Sequence, residues 1–512
     1  MRKILVALPL TMLLAAGMPL HAGETPAASN AAAALPVLKE RSVVTHHTLT
    51  LDGRRLRYTA TAGNLLIRND KNQAIGSMFY VAYTEDDVKN SARRPLTFLF
   101  NGGPGSSSVW LHMGAFGPVR VETADARATP PAPYRIVPNR YSLLDRSDLV
   151  FIDAMGTGFS RLAGTGTPKD FYGTDADIAS FGKFIKRYLS VNNRWNSPKF
   201  LLGESYGTTR AAGLVDWLQQ HGIACNGVIL QSSYLNAYVD FPGPPLSLDL
   251  PYELYLPTMA ATAWYHDKLP HKPADLAVFL QQVRRFALGD YARALAQGDK
   301  LSPVETQVIA QQLHNDTGLP VKFLLEIRLR VTPGRFEKEL LRGEDRVTGR
   351  LDSRFLGFDR DRVGERPGYD PSDAAISGAF TAAFNWYLRN DLDYQTSRTY
   401  LVTDYPVVGK HWNNGQRLDG QEWPLMDVAE NLRDAMVKNP NLKVFSANGY
   451  FDFATPFFET EYDLDHMGLP AALRKNITYG YYESGHMIYL HLPALAAYRT
   501  DLARFYDSAA WQ

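Results

Sequence analysis

The segment Gly203-Glu204-Ser205-Tyr206-Gly207 is a G-x-S-x-G that directly follows KFLLG, an apolar run of strand character. It precedes a stretch with helical spacing at Ala211, Leu214 and Leu218. A sharp turn from strand to helix lifts a serine hydroxyl above the sheet rim, and small flanking residues let the chain turn without a clash. A hydroxyl is a poor nucleophile until a base takes its proton, and a histidine base needs a carboxylate to fix its tautomer. Asp452, in NGYFDFATP, follows the strand-like KVFSAN; His486, in YYESGHMIY, follows ITYGYY. Both therefore fall in loops at the strand ends that carry Ser205. Other histidines fit less well. His466 and His491 fall in or beside helices, His46 and His47 in the N-terminal strand region, and His411 in a loop, where it is the best competitor. Asp463 and Asp465 are expected to be exposed. Charge building on an attacked carbonyl oxygen needs N–H donors. One is expected from the Tyr206 backbone, the second from the glycine-rich loop Asn101-Gly102-Gly103-Pro104-Gly105 after TFLF.

The elements that must position these residues alternate in type. Residues 43–100 read as strands, with a hairpin signal at Asp52-Gly53. DLVFIDA (148–154), KFLLGES (199–205) and GVILQSS (227–233) are continuous apolar runs suited to strands buried on both faces. Between the first two, Ile178, Phe181, Phe184, Ile185 and Leu189 keep helical spacing. Strands alternating with helices imply a mostly parallel sheet covered on both sides. The order Ser, Asp, His along the chain is that of α/β-hydrolases. A Pro-rich stretch at 236–256 marks a boundary, and from 274 to about 395 the signals are helical. They include a capping box at Ser302-Pro303-Val304-Glu305 and an apolar face at Ile376, Phe380, Ala383, Phe384 and Tyr387. The charged piece 357–366 reads as a solvated loop. Strands return at 443–448 and 477–482, and a helix closes the chain from about 492. The expected fold class is α/β: an α/β-hydrolase fold with a mostly parallel central sheet and a helical cap insertion. The expected division is 41–235 and 399–512 for the two parts of the α/β domain, with the insertion at 236–398.

The motifs NGGPGSSS (101–108), DLVFIDAMGTGFS (148–160), GESYG (203–207), NGYFDFATP (448–456) and ESGHM (483–487) together resemble the serine carboxypeptidase family, peptidase family S10. They occur in family order across nearly the whole mature chain. The resemblance implies Ser205 as nucleophile, His486 as base and Asp452 as its partner, with the oxyanion N–H groups from Gly103 and Tyr206. It further implies that Asn101, Gly102 and Glu204 hold the substrate's terminal carboxylate, and that the insertion is the cap shaping the pocket. Glu204 can meet a carboxylate only if it is protonated, because like charges repel; hydrolysis of peptide acids is therefore expected to weaken as pH rises above the acidic range. The sequence departs from the family at Leu99, where a tryptophan is usual, at Ser106, where a cysteine is usual, and at Tyr450, which replaces the first acid of a GDxD. The expected activity is serine-type carboxypeptidase on a peptide substrate. The alternatives are an acyltransferase or esterase on the same scaffold, a proline iminopeptidase-like aminopeptidase, for which NGGPG in place of HGGPG is unfavourable, and a binding protein on an inactive scaffold.

Composition narrows the remaining classes. Of 512 residues 45% are apolar, 21% charged and 12% aromatic, which excludes a disordered or fibrous chain. Lys and Arg total 54 against 53 Asp and Glu, a net charge of +1, so no global field attracts nucleic acid or an anionic membrane. The single cysteine, Cys225, rules out an internal disulfide and a thiolate metal cage. With no metal-binding or dinucleotide motif, no cofactor is expected. Residues 1–22 begin with Arg2 and Lys3, continue through an apolar stretch and end at His21-Ala22, the pattern of a cleaved signal peptide; a membrane anchor is the competing reading. Residues 23–40 read as a flexible leader. Export without disulfides points to a bacterial periplasm or secretion, with no stable membrane insertion after cleavage.

Overall fold

The computed structural model describes Leu35 and residues 39–240 and 247–510. The expected signal peptide and most of the expected leader lie outside the described residues, as does part of the Pro-rich boundary. The chain enters with β1 (Arg41–Leu51) and β2 (Arg54–Arg68), joined at Asp52 and Gly53, whose φ values of 49° and 79° are those of a two-residue hairpin turn. β3 (Ala74–Glu85), β4 (Leu96–Phe100), β5 (Asp148–Ile152), β6 (Lys199–Ser205), β7 (Gly227–Ser233), β8 (Lys443–Gly449) and β9 (Ile477–Tyr482) complete the main path of a ten-stranded sheet. The spatial order is β1-β2-β3-β5-β4-β6-β7-β8-β9. The pairs from β1 to β5 are antiparallel, and those from β5 to β9 are parallel. The chain leaves β4 for β5 on one side and returns to set β6 on the other. The crevice at such a reversal, above the carboxyl ends of the strands, is where open α/β sheets hold ligands.

Side-chain alternation along the strands feeds two cores. Phe98, Val150, Leu201, Val228 and Val444 face one way; Leu99, Phe151, Leu202, Ile229 and Phe445 face the other. The first core is closed by α1 (Thr174–Val191), α2 (Tyr206–Gln220) and a later helix at Ala429–Lys438. The second is closed by a helix at Pro371–Asn390 and by the final helix, Leu492–Ala509. Double coverage explains the uninterrupted apolar runs of the central strands.

Between β7 and β8 lie α3 (Leu250–Tyr265), α4 (Leu276–Phe286), α5 (Pro303–Thr317) and α6 (Pro371–Asn390). α3, α4 and α5 share a third core with Phe451, Phe453, Phe457 and Phe458, which flank Asp452. α6 instead packs on the sheet-side core through Phe380 and Phe384, so the expected insertion contains two kinds of helix. α3 begins inside the stretch read as a Pro-rich boundary. Its residues 251–263 are all buried, so it carries no polar stripe from which a helical period could be recognised. α7 (Ala429–Lys438) and α8 (Phe457–Asp465) follow. Asp465 is exposed, but Asp463, expected at the surface, is 4% exposed, because Phe457, Phe458 and Leu464 draw that turn of α8 inward.

One buried ion pair fixes the loop that follows β4. Arg210, 1% exposed on α2, binds Asp177 of α1 through Nε at 2.7 Å and donates from Nη1 to the Asn101 carbonyl at 2.8 Å. Burial outweighs Arg210's pull and holds the Asp177 carboxyl above its usual range. Removing one partner of a buried pair strands the other charge, whereas replacing both removes the burden. Arg210→Met is expected to lower unfolding stability by about 3–5 kcal/mol in urea titration, and Arg210→Met with Asp177→Leu to recover most of that loss. Equal losses in the single and double variants would contradict this.

Candidate active site

Ser205 closes β6 with φ 62° and ψ −134°, a conformation sparsely populated by residues with a side chain. The turn is possible because its neighbours are stripped of Cβ atoms. A Cβ on Gly203 would lie 2.0 Å from the Gly207 carbonyl oxygen, and one on Gly102 would lie 2.4 Å from the Tyr206 nitrogen. The 101–105 loop is thereby pressed against the turn that carries Ser205. Tyr206 is the first residue of α2, so its N–H has no acceptor within the helix. The Gly103 N–H likewise donates to no group among the described residues. Both residues line the cavity that Ser205 lines.

His486 and Asp452 meet as expected from their positions after β9 and β8. His486 Nδ1 donates to Asp452 Oδ2 at 2.8 Å, which leaves Nε2 as the basic nitrogen. Asp452 is fully buried, and its charge is met by donors: the Ala454 and Thr455 N–H groups on Oδ1 at 2.8 and 3.0 Å, and the Thr455 hydroxyl on Oδ2 at 2.8 Å. Burial would lower the His486 pKa, but the Asp452 charge and hydrogen bond more than offset it, leaving the imidazole above its usual value. No hydrogen bond joins Ser205 to His486. They share the wall of a cavity of about 820 Å³, and contacts of this kind tighten when substrate binds. His411 ends a short exposed helix and stacks on Tyr172, away from that wall.

Glu204 is 1% exposed. Its Oε1 accepts from the Asn101 amide at 2.7 Å and the Tyr489 hydroxyl at 3.2 Å, and its Oε2 accepts from the Gln231 amide at 2.7 Å. Burial pushes its carboxyl up to about 7. Asn101 is further held by the Leu111 N–H on its Oδ1 at 3.0 Å. Gln231, Tyr489 and Thr455 were not singled out from sequence. Thr455 stands three residues after Asp452, a spacing at which a hydroxyl can bond back to a carboxylate; Gln231 and Tyr489 reach Glu204 only through the fold.

A second group of acids includes Asp240, which lines the same cavity, and the buried Glu459 and Asp463. Asp240 is 2% exposed with both carboxyl oxygens unpartnered, and Glu459 and Asp463 each leave one oxygen unpartnered. Burial pushes Asp240 up to about 8, and burial with the neighbouring acids raises Glu459 and Asp463 well above the ordinary range.

The mostly parallel sheet with its serine turn between β6 and α2, and with Asp452 and His486 beyond β8 and β9, defines an α/β-hydrolase fold. Residues 55–237 match the family model for serine carboxypeptidase. Over 135 residues the chain is 31% identical to the pheromone-processing carboxypeptidase KEX1 of Saccharomyces cerevisiae, a match covering 25% of this chain and 17% of that protein. Over 177 residues it is 24% identical to serine carboxypeptidase-like 10 of Arabidopsis thaliana, covering 34% and 38%. The chain thus spans well under half the length of these relatives. The crystal structure of Kex1Δp, a prohormone-processing carboxypeptidase from S. cerevisiae, shares the fold with a TM-score of 0.54 at 14% identity, over 88% of this chain and 91% of that one.

The raised carboxyls set the sign of a stability change. Asp240, Glu204 and Glu459 keep protons in the folded chain at pH values where the unfolded chain, with carboxyl pKa values near 4, has lost them. Stability is then lost as pH rises from the unfolded value through the folded one, at about 1.4 kcal/mol per pH unit for each such group. His112, which burial pushes down to about 3, acts in the opposite sense but only below pH 6.5, where the unfolded imidazole charges. Between pH 6.5 and 8 the carboxyls dominate. The Tm is expected to fall across that interval in scanning calorimetry, and Asp240→Asn to make the fall shallower. A flat or rising Tm would contradict the assignment.

Proposed function

We propose that the chain is a serine-type carboxypeptidase that removes the C-terminal residue of a peptide. Ser205 Oγ attacks the last peptide carbonyl while His486 Nε2 takes its proton. The imidazolium then gives that proton to the leaving amine, and water, deprotonated by the same nitrogen, hydrolyses the acyl-enzyme. The Gly103 and Tyr206 N–H groups receive the developing oxyanion. Asn101, Gly102 and protonated Glu204 hold the α-carboxylate, with Glu204 as a donor. α3, α4 and α5 form the cap, and the third core they build grips the loop that carries Asp452. We further infer export from residues 1–22; among the described residues no helix is long and apolar enough to cross a membrane.

The observation that carries this reading is the buried 2.8 Å contact of His486 with Asp452 in the wall of the cavity that Ser205 enters. The Glu204–Asn101 contact beside them supports attack at a free carboxyl end. A carboxyl pushed up to about 7 is neutral below that pH and faces another carboxylate without repulsion. The test uses amino-blocked peptides followed by mass spectrometry across pH. Release of the C-terminal residue is expected, with kcat/KM lowered at least ~10³-fold in Ser205→Ala. For peptide acids the rate should climb as His486 loses its proton, above pH 6.5, and fall as Glu204 loses its own, near 7. The matching amide or ester should show the rising limb without that fall. Cleavage from the amino end, full activity of folded Ser205→Ala, or identical alkaline limbs for acid and amide would each overturn the corresponding part.

A further inference from the structure

The segment Gly349–Ser353 is a strap between the two loops that present Asp452 and His486. The Phe453 N–H donates to the Arg350 carbonyl at 3.0 Å, the His486 N–H to the Leu351 carbonyl, and the Ser353 N–H to the Phe451 carbonyl at 3.0 Å. From the other side, Asp370 accepts the Arg350 N–H on Oδ1 and the Leu351 N–H on Oδ2, both at 3.0 Å. The main chain of Arg350 is thus pinned on both sides. Its side chain is the opposite: exposed, in the wall of the Ser205 cavity and also of an adjoining cavity of about 420 Å³. Among the described residues its guanidinium donates no hydrogen bond, and no carboxylate lies within salt-bridge distance.

The acids that share these walls do not cancel it. Glu204 is wrapped by three donors, and Asp370 spends both oxygens on the strap. Asp373 accepts the Ser377 hydroxyl at 2.9 Å. Asp240 and Glu337 are buried, and burial pushes each up to about 8, so both are neutral at pH 6. Among the described residues Arg350 is the one lysine or arginine in the wall of the Ser205 cavity. The planar guanidinium fork matches a carboxylate with two parallel N–H donors.

We propose that Arg350 is a specificity-determining residue that binds a carboxylate of the substrate, either the α-carboxylate or an acidic side chain beside the scissile bond. The proposal rests on the cavity being the binding site of a peptide acid, and its test lets the two readings fail separately. Four acetylated dipeptides, acetyl-Ala-Glu and acetyl-Ala-Gln, each as free acid and as amide, are titrated calorimetrically at pH 6 into Ser205→Ala, which binds without turnover. The same titrations use Ser205→Ala carrying Arg350→Gln or Arg350→Lys. The carboxylate-bearing partner of at least one isosteric pair should bind at least tenfold more tightly. That ratio should fall at least fivefold in Arg350→Gln, leaving for an acid–amide pair only what Asn101, Gly102 and Glu204 supply, stay intermediate in Arg350→Lys, and shrink in 0.5 M salt. Acid against amide identifies the α-carboxylate as the group bound, and Glu against Gln the side chain. Equal affinities for all four peptides, no binding of any, or a ratio that survives Arg350→Gln overturns the proposal. Charge-dependent binding without hydrolysis by the Ser205 protein would sink the peptidase reading and leave Arg350's role standing, whereas hydrolysis without charge preference does the reverse.

Discussion

The structure is organised around a carboxylate that has no contact with water. Asp452 is fully buried, and an ionised group so placed is tolerable only if every lone pair that matters is met. Its turn supplies two N–H groups and the Thr455 hydroxyl, and His486 supplies the fourth donor. The last bond turns a structural necessity into chemistry, since it fixes the imidazole tautomer and raises its basicity. Much of the surrounding architecture serves that contact. The phenylalanines on either side of Asp452 are anchored in the third core, and the 349–353 strap ties the acid-bearing loop to the histidine-bearing loop.

On the other wall the constraint is steric. The β4 loop lies close against the start of α2, and Gly102 and Gly203 lack the Cβ atoms that would prevent that approach. Arg210 holds this arrangement from below by its bond to the Asn101 carbonyl. The two walls are joined through Glu204. It takes donors from β7, from the β4 loop and from the segment after His486, so its environment depends on the whole sheet being in register. Burial raises the pKa of Glu204, whereas the charge and hydrogen bond of Asp452 raise that of His486 against the same burial, so that one cavity holds two titrating groups tuned by different causes.

Much of this was legible in the sequence. The central strands declared themselves as apolar runs because both faces of the sheet are covered, and GESYG declared itself because only glycine tolerates the approach at its ends. The order Ser205, Asp452, His486 followed from one residue per strand end. What escaped has physical reasons. α3 is buried on all sides, so the periodic signal of a half-exposed helix is missing. Asp463 carries a charge-bearing side chain into the interior, against the ordinary preference for the surface, in the company of other acids that hold protons with it. Gln231, Tyr489 and Arg350 hold positions with no local motif, and only the folded chain brings the first two onto Glu204 and the third into the wall of the Ser205 cavity.

The central claim is that one hydroxyl, one imidazole and two backbone N–H groups converge on a single reacting carbon. A crystal structure of the protein inactivated by an alkyl fluorophosphonate tests it most directly. The account predicts phosphorus bonded to Ser205 Oγ, the phosphoryl oxygen at about 2.7–3.1 Å from both the Gly103 and Tyr206 nitrogens, and His486 Nε2 turned toward Ser205 Oγ with Nδ1 still on Asp452. Phosphorus on another residue, or a phosphoryl oxygen directed away from those two nitrogens, would contradict it.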